Sequence, residues 1–184
     1  LRTFYHATGK LGCIEYNGKV KLGSVALAVI SIMEHPKRKQ FKRIEERLWN
    51  MIEHLWQPDG SFRTFFKPSD RNDVQNFYPG EAQLAWAFRY GETRDDALLH
   101  KFMASMRYYR EWHKEQRNPA FVPWHAQAYY HVWKITRDEE LKDWVFDISD
   151  WLLGMAQDRH NVLHADELGR FYDPQNPKFG PPHA

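Results

Sequence analysis

Three residues of the kinds that move protons, Glu81, His125 and Tyr78, stand in or beside a phrase that recurs along this chain. The phrase is small and apolar: Gly23-Ser24-Val25-Ala26-Leu27-Ala28, Gly80-Glu81-Ala82-Gln83-Leu84-Ala85, Trp124-His125-Ala126-Gln127-Ala128 and Pro182-His183-Ala184. Its starts lie 57, 44 and 58 residues apart, the mark of a repeat architecture with alternating long and short units. The second slot runs Ser24, Glu81, His125, His183, while the residues behind it stay small. A constant frame with variable polar tips is how a scaffold presents a site. A carboxylate and an imidazole on adjacent repeats can work as an acid/base pair, with Tyr78 donating a phenolic proton or hydrogen bond. Trp124 offers a stacking face. Gln83 and Gln127 share a further register position, as substrate contacts or as a repeated hydrogen bond between helices.

The patterns around the phrase predict paired helices. Phe41, Ile44, Leu48, Ile52 and Leu55 form one apolar stripe, with Lys42, Arg43, Glu45, Glu46 and Arg47 on the wet side. Leu98, Phe102, Met106 and Tyr109 repeat the stripe after Asp95-Asp96, and Leu141, Val145, Ile148 and Leu152 repeat it after Asp138-Glu139-Glu140, with acids placed for a first turn. These are outer helices. Residues 25–33, 82–88 and 126–133 are apolar or small on nearly every side, as expected of inner helices covered all round. Short turns at Pro36, Gly91-Glu92-Thr93 and Thr136-Arg137-Asp138 make each inner and outer pair an antiparallel hairpin. The returns over 58–79 and 158–182 are longer and carry Gly60-Ser61-Phe62 and Gly169-Arg170-Phe171. Residues 14–21 alternate around Asn17-Gly18, which predicts a short β-hairpin. All the long connections then fall at the end where inner helices begin.

Those links add a second layer of polar groups: Asp59, Arg63, Arg71, Asp73 and Gln75 in one, Asp166, Arg170, Tyr172 and Asp173 in the other. Arginine forks onto carboxylates, so Arg63, Arg71 and Arg170 suit an acidic sugar, with solvated surface charge as the alternative. Metal chemistry is not expected. His100, His113 and His131 show no i, i+4 pairing, His164 has only His160 in that register, and Cys13 stands alone. Phosphate loops and nucleophile elbows are absent, so no cofactor is expected either.

Composition narrows the classes. A chain of 184 residues suits one domain over 1–184. The net charge of +2 lacks the basic footprint of a nucleic-acid binder. The single cysteine rules out an internal disulfide and fits a cytosolic chain without requiring one. No run approaches the roughly 18 apolar residues of a membrane span. Aromatic content of 16% mostly serves a core, and rings beside the polar tips are the candidates for stacking on a sugar.

The hairpin layout, with the phrase Tyr78-Pro79-Gly80-Glu81, resembles the six-hairpin (α/α) toroid of many glycoside hydrolases, polysaccharide lyases and glucuronyl C5-epimerases. The resemblance implies an all-α fold: an incomplete toroid of about three hairpins with a small N-terminal β-hairpin, part of a longer chain. It implies a saccharide or polysaccharide ligand at the inner-helix N-termini, bound by Trp124, Gln83, Gln127, Arg63, Arg170 and His183. Acid/base chemistry there would be hydrolysis, elimination or epimerisation. Hydrolysis needs two carboxylates, and one strong candidate, Glu81, beside His125 and Tyr78 tilts toward the other two. The competing reading is a non-catalytic helical repeat module that binds a glycan or protein partner, with exposed hairpin flanks open to self-association.

Overall fold

The computed structural model describes residues 3–160, 162 and 168–171; His164, Asp166, Tyr172, Asp173 and His183 lie outside them. Among the described residues six α-helices form three antiparallel hairpins: α1 Leu22–Met33 with α2 Lys42–Leu55, α3 Tyr78–Thr93 with α4 Asp96–Glu115, and α5 Val122–Thr136 with α6 Glu139–Leu153. Helices α1, α3 and α5 pack side by side as an inner row, and α2, α4 and α6 back them. This is the expected arc of an (α/α) toroid.

Local chemistry sets the helix ends. Asp95 caps α4 by accepting from Ala97 N at 2.9 Å, and Asp138 caps α6 by accepting from Glu140 N at 2.8 Å, each worth about 1 kcal/mol. Pro79 and Pro123 sit in the first turns of α3 and α5, where a missing N–H costs nothing. Small residues then let the inner row close up. Every residue from 79 to 87 of α3 is buried, Gly80, Ala82, Ala85 and Ala87 among them. The outer stripes seal the other side through Leu48, Ile52, Phe102, Met106 and Ile148.

A four-stranded antiparallel sheet in the order β1-β2-β3-β4 braces the row: β1 Tyr5–Thr8, β2 Leu11–Tyr16, β3 Lys19–Lys21 and β4 Phe65–Lys67. Asn17 (φ 50°) and Gly18 (φ 72°) make the β2–β3 turn, with the positive φ at both positions that tight hairpins favour. Strand β3 runs straight into α1, and β4 lies in the link that feeds α3. The Leu22 N–H donates to Thr64 O at 2.9 Å, so the starts of α1 and α3 share one support.

The two Gly-x-Phe phrases build the same device twice. Trp56 bridges Phe62 and Ala156 bridges Phe171, each turn holding a glycine with positive φ, Gly60 (93°) and Gly169 (82°). Gly60 also touches α4, where a Cβ would come within 2.6 Å of Ala104 O.

Helix α5 departs from the expectation of cover all round. Tyr130 is 47% and Phe146 of α6 59% exposed, and with Trp133, Lys142 and Val145 they line a groove of about 450 Å³. The reason is positional: α3 has an inner helix on each flank, whereas α5 has one among the described residues.

Candidate functional site

Tyr78 is the first residue of α3, and Glu81 lies three positions on, so both project from one face. The Tyr78 ring meets Phe65 of β4 edge-on, centroids 5.8 Å apart, and the Lys21 ammonium lies 6.0 Å from its centre. Arg71 covers the Phe65 ring at 4.2 Å and forks onto Asp73 at 2.8 and 2.5 Å. Glu81 turns toward α1 and packs against Gly23, where a Cβ would overlap its Oε2. The residue is 7% exposed, and Oε2 has no hydrogen-bond partner among the described residues. Burial pushes the carboxyl up to about 7, against the opposing pull of the Lys21 charge. A carboxyl placed so holds and releases a proton near neutral pH.

Hydrogen bonds fix the link that delivers Tyr78. Asn72 Oδ1 accepts from Thr64 N at 2.9 Å, and Gln75 Nε2 donates to Phe62 O at 3.2 Å and Asn72 O at 3.1 Å. The Tyr109 hydroxyl of α4 accepts from Phe62 N at 2.9 Å and donates to Gln75 Oε1 at 2.8 Å. These bonds hold Val74 at φ 65°, a left-handed conformation that a β-branched side chain resists. The Val74 carbonyl accepts from Phe77 N and Tyr78 N, so this residue turns the chain into α3.

His125 occupies on α5 the slot that Glu81 occupies on α3, but its ring enters the interior. It is fully buried, its Nδ1–H donates to Phe121 O at 2.9 Å, and it stacks on Phe121 with centroids 3.6 Å apart. A Cβ on Gly80 would lie 2.6 Å from its Nδ1. Burial lowers its pKa to about 3 against the Phe121 hydrogen bond, so the imidazole is neutral. Glu81 therefore faces α1, His125 faces α3, and the two do not share a pocket.

The remaining candidates scatter. Trp124 is half-buried, its Cβ beside the same Gly80. Gln83 is buried against Tyr129, whereas Gln127 is exposed and donates to Pro123 O of its own helix at 2.9 Å. The inter-helix bond anticipated for the pair is thus not repeated. Arg63 donates to Ser69 O at 2.9 Å within its link. Arg170 is exposed beside the Ala156–Phe171 bridge. Lys21 was not singled out from sequence, although it stands two residues before Gly23, as Tyr78 stands two before Gly80.

A larger concavity of about 1430 Å³ lies at the opposite ends of α1 and α3. Among its charges Arg38 pairs with Glu45 and Glu92, and Lys101 with Glu53. Among the described residues no group of three or more His, Cys, Asp or Glu is gathered as a metal ion would need. Among them, too, no helix is long and apolar enough to cross a membrane.

Fold and rim together define an arc of an (α/α) toroid with one buried carboxyl at the start of a central inner helix. The fold is shared with a solved structure described as a family 76 glycoside hydrolase from a bovine Bacteroides thetaiotaomicron strain, with a TM-score of 0.62 and 15% identity. The match covers 95% of this chain and 44% of that one, so the chain spans less than half the length of its structural neighbour. No family model matches the sequence, and no curated protein matches it.

Proposed function

We propose that the rim of Lys21, Tyr78 and Glu81 binds a saccharide and that Glu81 transfers a proton to or from it. One observation carries this reading: the Glu81 carboxyl, sealed against Gly23 and pushed to about 7, has the proton affinity that acid/base work at neutral pH requires. Tyr78 supplies a second polar group on the same face, and the Lys21 ammonium beside it suits a sugar that carries a carboxylate. A glycoside hydrolase of the same fold is consistent with a saccharide ligand. Hydrolysis by the common route needs a second carboxylate about 5 to 9.5 Å away. The nearby Asp73 is already held by Arg71, which favours elimination or epimerisation beside a uronate.

The binding-module reading has one observation on its side: the sealed, neutral His125 leaves Glu81 without the imidazole partner that its slot suggested. A panel of neutral and uronate-containing glycans decides between them, binding being read first and products second by mass spectrometry. Glu81→Gln is expected to keep binding and to lose turnover at least 100-fold. Binding without any product, in wild type as in the variant, would establish the module instead.

A further inference from the structure

The first slot of the repeat holds Gly23 on α1, Gly80 on α3 and Trp124 on α5. Both glycines lie inside α-helices and neither has a positive φ. Their backbone asks nothing of glycine, and in a helix glycine costs about 0.5–1 kcal/mol relative to alanine. What they provide is space. A Cβ on Gly23 would overlap Glu81 Oε2 and lie 2.6 Å from Tyr78 Cδ1; a Cβ on Gly80 would lie 2.6 Å from His125 Nδ1 and 2.7 Å from Trp124 Cβ. The first-slot glycines of α1 and α3 are thus each the seat of the second-slot side chain of the next inner helix. On α5 the slot is filled by Trp124.

We propose that Gly23 is a positioning residue for the rim, because its missing side chain is the seat that holds the Glu81 carboxyl between α1 and α3. This rests on the reading of Glu81 as the proton carrier. The two seats differ in what a methyl group would displace. At Gly80 the obstacle includes a Cβ and a stacked ring, which cannot retreat. At Gly23 the first obstacle is the far end of a flexible side chain, and the second is the ring of a half-buried Tyr78. Gly23→Ala therefore keeps the fold and turns the Glu81 carboxyl out toward water. Lys21 is the charged group that acts on it in the seat, and Tyr78 is the titratable neighbour on its own helix.

Carbon-13 NMR titration of the Glu81 side chain, assigned by its loss in Glu81→Gln, reads the seat directly. In wild type the carboxyl is expected to titrate near 7, and in Gly23→Ala near the ordinary value of 4.5, a fall in proton affinity of about 300-fold. A carboxyl that stays near 7 in Gly23→Ala overturns the proposal. Unfolding equilibria of Gly23→Ala, Glu81→Ala and the double variant provide a second readout should the first variant be poorly folded. Removing the occupant should relieve the methyl group, giving a coupling of at least about tenfold in the unfolding constant. Additive effects overturn the proposal as well. A wild-type carboxyl that titrates near 4.5 instead sinks the proton-carrier reading, while the coupling between positions 23 and 81 still reports on the seat.

Discussion

Replacing Glu81 with glutamine keeps the shape of the side chain and removes its ability to ionise, which makes stability the sharpest reporter of its surroundings. In the folded chain burial raises the carboxyl from 4.5 to about 7. A raised folded value means that the stabilisation is fully present below the unfolded value of 4.5 and is lost as pH climbs through 7. The shift of about 2.5 units corresponds to about 3 kcal/mol, which the ionised form forfeits well above neutrality. Glu81→Gln should therefore unfold in urea much like wild type at pH 5. At pH 9 it should be more stable by roughly 2–3 kcal/mol, a large fraction of a typical 5–15 kcal/mol total. The buried histidines titrate identically in both proteins and cancel from the comparison. A difference between the two proteins that does not grow with pH would refute the argument, because it would mean that the wild-type carboxylate keeps its water or a partner when ionised.

Acid should act instead at the buried histidines of α4 and α5. Burial lowers His113 to about 4 and His125 to about 3, so the unfolded chain takes up protons from pH 6.5 downward while the folded chain does not. In the Glu81→Gln background, stability should fall by roughly 3 kcal/mol between pH 7 and pH 5, and a flat urea profile over that interval would contradict the burial of both rings. Val74→Gly should raise the thermal midpoint, since relief of about 1–3 kcal/mol of strain at φ 65° exceeds the entropy cost of glycine; an unchanged or lower midpoint would count against the strain.

The repeat made the row of hairpins legible because packing inner helices closely demands small residues, and Gly80, Ala82 and Ala85 stand out against any outer helix. Asn17-Gly18 announced its turn for a similarly local reason. Strands β1 and β4 gave no such signal. They are four and three residues long, and β4 is held by its pairing with β3 rather than by a pattern of its own. At the rim, Tyr78 and Glu81 lie together on α3, as their spacing of three requires. His125 was placed by the same register yet faces the core, because a slot sets a position on a helix but not which neighbour leaves room for the side chain. Gly80 of α3 and Phe121, the residue that precedes α5, decide that for His125. Lys21 escaped notice because its role depends on Glu81, about sixty residues further along the chain.

Behind the rim, rings succeed one another at close range. Trp112 stacks on Phe121 at 6.1 Å, Phe121 on His125 at 3.6 Å, and Tyr109 and Tyr129 flank that imidazole at 5.7 Å each. Chromophores locked at fixed angles couple optically, so Trp112, Tyr109 and Tyr129 of this column should contribute to the near-ultraviolet circular dichroism of the protein. The molecule thus carries an intrinsic spectroscopic gauge of its α4–α5 seam, separate from the far-ultraviolet signal of the helices themselves.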